Sequence, residues 1–303
     1  MPTKVIQGFQ ELCRNLEITD LQSSTVSERH QRVRGVLINS DLPVVDGGDF
    51  LTGSYIRNTM IAPLEDADID IFIVLDESHF HDYKPASLLD KVRGILKQAY
   101  TEKTDISRDG QAVTISFHDF KVDVVPAFSR NLVLGKLVLW DGGYRIADTI
   151  SGEWISTNPK KHIELWTEAN KEHNGKLIPF IKMMKCWNRE NGDLLRSFHL
   201  ECLILTIFKY RKIPEEYPTA VRLVFDKARS TVQNPISDPA GYWYNSNIGA
   251  YLNTLDKKVA VVRQLELAYR RAKNAEEWVK WGNIEDAYYY WRKIFGDYFP
   301  AYS

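Results

Sequence analysis

Asp68 and Asp70, two apart in "DADIDIFIVL", and Asp123, inside "KVDVVPAF", are the residues whose types and spacing best suit chemistry. On a strand, residues i and i+2 project from one face, so the first two acids point together while Ile69 and Ile71 face a core. Carboxylates that close repel each other, and one pKa rises unless a cation stands between them. A hard divalent ion answers this, since Mg²⁺ commonly takes one or two carboxylates plus substrate phosphate oxygens. Two ions clamping an in-line displacement need a third carboxylate. Asp123 supplies it from a second apolar strand, where flanking Val122, Val124 and Val125 make a bare aspartate costly.

An acid-x-acid pair before a strand is by itself most often a solvated turn. The buried-strand aspartate downstream and Gly53-Ser54 upstream change that reading. Glycine lets backbone approach a phosphate closely, and a helix start with free N–H groups favours an anion. The Ser54 hydroxyl adds a donor. A Gly-Ser pair is also a common helix start, so its weight comes from lying 14 residues before Asp68.

The elements that must hold these residues can be read from periodicity and punctuation. Residues 5–17 and 26–38 are expected as helices, the second capped by Ser27. Gly47-Gly48 reads as a loop, and 54–62 as a short helix stopped by Pro63. Residues 69–76 read as a buried strand and 86–100 as an amphipathic helix. Residues 112–128 suggest two strands around a turn at His118-Asp119, followed by a hairpin turning at Asp141-Gly142-Gly143.

From about residue 160 the pattern is helical. Asn174-Gly175 separates two helices, Pro179 falls in a first turn, and 198–211 is apolar nearly all round. Segments 247–273 and 275–296 read as long helices. Strands in the first half and helices in the second predict an α+β chain. Its mixed-sheet lobe would span 1–155, its helical lobe 156–303, with a cleft between.

With 303 residues, 44% hydrophobic, 26% charged and a net charge of -1, the composition is that of a soluble globular protein. A run of about 18 apolar residues is absent, which argues against a membrane span. No charged leader with an apolar core opens the sequence, so a cytoplasmic protein is expected. Near-zero net charge argues against a protein built to coat nucleic acid. Cys13, Cys186 and Cys202 have no zinc-ligand spacing and read as buried free thiols.

Together, Gly53-Ser54, Asp68-x-Asp70 and Asp123 resemble the nucleotidyltransferase superfamily that includes DNA polymerase beta and poly(A) polymerase. The string "GSYIRNTMI" followed by "DADIDIFIVL" looks more narrowly like the cGAS/DncV-like nucleotidyltransferases, bacterial relatives of cyclic GMP-AMP synthase and oligoadenylate synthetase. Residues 178–208, "WISTNPKKH" (154–162) and "DAYYYWRKIFGDYFP" (286–300) are similar to the same family, so the resemblance covers nearly the whole chain.

The resemblance implies a polymerase-beta-like lobe packed against a helical lobe. It implies nucleotide binding by Gly53, Ser54, Asp70, Lys185, Ser197 and Phe198, with Lys185 and Ser197 on the donor triphosphate and Phe198 against a base. Asp68, Asp70 and Asp123 would hold two Mg²⁺ ions, with Mn²⁺ able to substitute. The implied substrates are nucleoside triphosphates, ATP or GTP first and pyrimidines next. The implied product is a cyclic di- or trinucleotide that activates a separate effector in bacterial anti-phage defence of the CBASS type. The Cys/His zinc insertion that helps the vertebrate enzyme bind DNA has no counterpart here, so DNA activation of that kind is not implied.

The residues allow a bland reading beside this. Lys182, Lys185 and Arg189 form a basic stripe opposite Leu177, Phe180, Ile181 and Met184, and such a stripe is usually a solvated face. A compact ammonium from Lys185 could equally neutralise phosphates. Ser197 reads as a helix cap, which can coexist with phosphate binding. Phe198 is core unless it lines a cleft. Arg57 touches phosphate or solvent, His79 and His81 lie in a surface loop, and the tail aromatics Trp278, Trp281, Tyr288, Trp291 and Phe295 read as helix-packing core. Two other functions stay open: a template-independent nucleotidyltransferase acting on an RNA, protein or small-molecule acceptor, and a non-catalytic nucleotide-binding protein.

Overall fold

A computed structural model describes residues 3–100, 104–134, 137–241 and 247–303, apart from the side chains of residues 66 and 131–141. In chain order the elements are α1 (Thr3–Asn15), α2 (Asp20–Ile38), β1 (Val44–Thr52), α3 (Gly53–Ile56), β2 (Asp68–Leu75), α4 (Pro85–Ala99), β3 (Asp105–Asp109) and β4 (Ala112–Ser116). Then come β5 (Lys121–Leu134), β6 (Leu137–Ala147), β7 (Trp154–Thr157), α5 (Pro159–Glu172), α6 (Leu177–Glu190) and α7 (Ser197–Phe208). The last helices are α8 (Tyr217–Thr231), α9 (Leu255–Lys280) and α10 (Ile284–Phe295). Two compact units result, one of residues 18–166 and one of residues 1–17 with 167–303. The unit boundary therefore falls inside α5, and α1 groups with the second half of the chain, whereas the sequence reading set the division at 155/156 with α1 in the first lobe.

The 18–166 unit is built on a seven-stranded mixed sheet. Its main path runs β1-β2-β5-β4-β3, with β6 on β5 and β7 on β6. Among the described residues only the β2–β5 pairing is parallel. On one face Ile69, Ile71, Ile73, Leu75, Val122 and Val124 pack with Val26, Val33 and Leu37 of α2 and Leu88, Leu89, Val92 and Leu96 of α4. The other face carries a smaller cluster of Phe72, Val74, Val125, Ala127, Tyr144 and Ile146, with Phe50 packed against it. The alternation in "DIDIFIVL" produces both layers.

Several boundaries differ from expectation, each for a local reason. α2 begins at Asp20 because Thr19 and Gln22 form a capping box, so Ser27 lies inside the helix. Gly47-Gly48 interrupts the register of β1 instead of replacing it with a loop. Asp141-Gly142-Gly143 is likewise a bulge: Ser129 pairs with Tyr144 and Asn131 with Trp140, leaving three residues opposite one. The β5–β6 pairing instead continues as far as Leu134 and Leu137; residues 135 and 136 lie outside the described residues. The turn at His118-Asp119 is where it was expected.

In the helical unit, Phe9 of α1 meets Trp291 at 4.9 Å, Phe299 at 5.2 Å and Phe295 at 5.9 Å between ring centroids, all edge-on. α9 runs on to Lys280 because Ala268, Ala272 and Ala275 continue its buried stripe, and the break comes at Gly282 (φ +79°) before Asn283 caps α10. Trp281 departs from the expected core role, being 70% exposed. Cys186 and Cys202 are buried free thiols, Cys13 a half-buried one. Among the described residues no helix is long and apolar enough to cross a membrane.

Candidate active site

The carboxylates lie in a row of paired residues crossing four strands. Thr52 of β1 pairs with Asp70 of β2, Asp70 with Asp123 of β5, and Asp123 with Thr114 of β4. Two residues earlier on β2, Asp68 pairs with Lys121. Residues in register on adjacent strands share a face, so Asp68, Asp70 and Asp123 project to one side, as expected. Phe72, Val74 and Val125 follow them on that same side. The acids thus form the polar end of an otherwise apolar face.

Burial raises the Asp123 carboxyl above the ordinary carboxylate range. The Thr114 hydrogen bond opposes this, the Asp68 charge reinforces it, and Lys121 opposes it more weakly. Thr114 Oγ1 donates to Asp123 Oδ1 at 2.6 Å. Asp68, at the open start of its strand, is raised by burial against the pull of Lys121. Among the described residues no group of three or more His, Cys, Asp or Glu side chains is arranged to hold a metal ion. What Asp68, Asp70 and Asp123 offer is hard carboxylate oxygen on one face of the sheet. Mg²⁺ fits such a set, because it keeps several waters or phosphate oxygens and rarely occupies an all-protein cage. Mutual repulsion between Asp68 and Asp123 is the cost that a bound cation would offset.

Gly53 is fixed by two demands at once. Its φ is +71°, and a side-chain carbon there would overlap the Asp70 carboxylate. Only glycine meets both. The helix expected over 54–62 is a single turn, because Asn58 leaves it at φ +55° and the Ser54 carbonyl accepts from the Thr59 and Met60 N–H groups at 2.9 and 3.2 Å. One turn has little dipole, so the helix-end argument for anion binding at Ser54 falls away. Ser54 remains half-buried beside Gly53. The Arg57 guanidinium lies over the Trp166 ring at 5.3 Å. His79, in an exposed turn, bonds Asp82 at 2.8 Å.

Lys185, Ser197 and Phe198 belong to the helical unit. α6 is buried nearly all round, so its basic residues are no solvated stripe. Lys182 pairs with Glu17 at 2.6 Å, and the Arg189 guanidinium lies over Tyr298 at 5.1 Å. Lys185 Nζ reaches Glu201 Oε1 of α7 at 2.6 Å. Glu201 stands four residues beyond Ser197, on the same helix face, so the ammonium and the serine hydroxyl are aligned along one side of α7. Ser197 is exposed and is the first residue of α7; the cap position belongs to Arg196, not to Ser197 as expected. Phe198 is half-buried.

Sequence reasoning missed Thr114, Lys121 and Glu201. Glu201 carried a signal, as the one acid of "SFHLECLILTIF", a helix otherwise too apolar to hold an unpaired charge. Thr114 and Lys121 carried none, since their roles come from strand register.

Residues 3–170 match the family described as "Second Messenger Oligonucleotide or Dinucleotide Synthetase domain". The chain is 32% identical over 212 residues to the cyclic AMP-AMP-AMP synthase of an Acinetobacter strain, covering 67% of this chain and 59% of that protein. It is 27% identical over 283 residues to a probable cyclic nucleotide synthase of Bacillus cereus, covering 83% and 82%. A solved structure of E. coli MS115-1 CdnC with ATP superposes with a TM-score of 0.74 over 99% of both chains at 19% identity. At that identity the likeness is one of fold, a mixed sheet followed by helices.

Proposed function

This chain belongs to the family of second messenger oligonucleotide or dinucleotide synthetases, a group of nucleotidyltransferases, and on that premise we propose that it makes a cyclic di- or trinucleotide from nucleoside triphosphates. In each step an acceptor hydroxyl oxygen bonds to the α-phosphorus of a donor. The bond from that phosphorus to the β-phosphate oxygen breaks, pyrophosphate leaves, and the hydroxyl proton goes to solvent. A last, intramolecular step closes the ring.

What supports this reading most is the register that sets Asp70 directly beside Asp123, with Asp68 on the same face. These acids would hold two Mg²⁺ ions, or Mn²⁺ in their place, which when bound neutralise charge on the donor triphosphate and activate the acceptor hydroxyl. Gly53 gives Asp70 its room. Ser54, Lys185 and Ser197 would grip the triphosphate, and Phe198 would stack on a base. Most of the rate gain would come from positioning and charge stabilisation.

The Acinetobacter relative's name makes an adenine-containing trinucleotide the first product to seek, and the ATP-bound CdnC structure favours ATP as substrate. Working from cytoplasmic nucleotides, the enzyme would signal to a separate effector in anti-phage defence. Purified protein incubated with the four NTPs and Mg²⁺, then treated with phosphatase, should yield a phosphatase-resistant cyclic species by mass spectrometry. Linear oligomers attached to an added acceptor, with no cyclic species, would instead identify a tailing enzyme.

A further inference from the structure

The start of α7 lacks the usual local cap. Arg196 occupies the cap position and its side chain bonds no helix N–H. The backbone N–H of Arg196 instead donates to the hydroxyl of Tyr251, 55 residues away, at 2.9 Å. The same hydroxyl lies 2.9 Å from Nδ1 of His199. The Tyr251 oxygen accepts from the Arg196 amide and, with a neutral imidazole, also hydrogen-bonds His199 Nδ1, donating or accepting according to the tautomer.

Burial holds His199 in that neutral form, its pKa pushed down to about 4. Its ring is 1% exposed and meets the Tyr251 ring edge-on at 5.6 Å. Gly249 closes the other side, since a side-chain carbon there would press on the imidazole at 2.8 Å. The Arg196 guanidinium lies over the Tyr251 ring at 4.7 Å.

His199 is the third residue of α7. In an ordinary capping box the side chain at that position reaches back to the N–H of the cap residue. Here it does so through an interposed tyrosine hydroxyl. The two residues between the cap and His199 are Ser197 and Phe198.

We propose that Tyr251 and His199 are positioning residues, forming a relayed capping box that fixes Ser197 and Phe198 for nucleotide binding. This deepens the function proposed above and rests on it for the role of those two residues. Neither relay residue needs to touch substrate.

The test uses the full chain with Tyr251→Phe, which keeps the ring, His199→Asn, which keeps an acceptor near the Nδ1 position, and His199→Leu, which removes it. Amide hydrogen exchange of residues 196–199 reads the relay without any nucleotide. Exchange should quicken on the order of tenfold in Tyr251→Phe and His199→Leu and stay near wild type in His199→Asn, as loss of one hydrogen bond implies. ATP and GTP titrated by calorimetry should bind those first two variants several-fold more weakly. Unchanged exchange in Tyr251→Phe would overturn the relay itself. Quickened exchange with unchanged ATP and GTP affinity, in a background where Ser197→Ala does weaken binding, would reduce the relay to a structural cap and overturn its positioning role. If Ser197→Ala leaves affinity unchanged while exchange in Tyr251→Phe quickens, it is the assigned role of Ser197 that fails.

Discussion

The ammonium of Lys185 and the carboxylate of Glu201 are paired at 2.6 Å with side chains 6% and 0% exposed. Desolvating both groups is costly, and removing one partner strands the other, typically at a cost of about 3–5 kcal/mol. Lys185→Met should therefore destabilise the helical unit by about that much. The double variant Lys185→Met, Glu201→Leu should recover most of the loss in denaturant titrations, yet still bind ATP weakly. A double variant as unstable as the single would show that the buried charge is not the cause.

Gly53→Ala separates stability from chemistry. The left-handed backbone costs an alanine about 1–2 kcal/mol, which a denaturation midpoint would register. The larger effect is on Asp70, whose carboxylate must move away from the new methyl. A displacement near 1 Å can lower turnover about a hundredfold. Pyrophosphate release at the wild-type rate would mean that the Asp70 position seen here has no bearing on catalysis.

Asp123 gives a pH signature. Its folded pKa lies above the unfolded one, so the stability it contributes is full below about pH 4, the unfolded carboxyl value. That contribution is lost as pH rises through the raised folded value. Asp123→Asn holds the site neutral and can still accept from Thr114. Without divalent metal, the variant should be more stable than wild type at pH 7, and the gap should close towards pH 4. Product synthesis should be abolished. A variant less stable than wild type at pH 7 would contradict the assignment.

Phe9→Ala tests the grouping of α1. Emptying a fully buried aromatic site costs about 3–5 kcal/mol, and the ring contacts of Phe9 are with Trp291, Phe295 and Phe299. Hydrogen exchange should rise in the helices of 167–303 while β2 and β5 keep their protection. Uniform loss across the sheet would argue against α1 belonging to the helical unit.

The face that carries the carboxylates was legible because its information is local. The alternation Asp68-Ile69-Asp70-Ile71 dictates which side each residue takes, and the valines around Asp123 mark a second strand without help from tertiary structure. Gly53-Ser54 does open a helical turn, but the demand for glycine seen here, room for Asp70 at a positive φ, comes from tertiary structure. Asp141-Gly142-Gly143 carries the signal of a turn but sits in a bulge, since β5 is longer than its pattern suggests. Lys185 looked like part of a solvated stripe because periodicity within one helix says nothing about a carboxylate on the next. Tyr251 gave no sign at all, its partners lying 52 and 55 residues away.

The grouping of α1 with the last helices also sets an order of events during synthesis. The ring that Phe9 needs is completed only when residues 291–299 emerge, whereas the 18–166 unit has all of its strands much earlier. At ordinary elongation rates that delay is roughly 7 to 27 seconds. For that time the nascent chain carries a finished sheet between two unfinished parts of one helical unit, with the apolar face of α1 uncovered. A chaperone that covers α1 during this interval would have a definite window in which to act, closing when the final aromatic turn reaches its place.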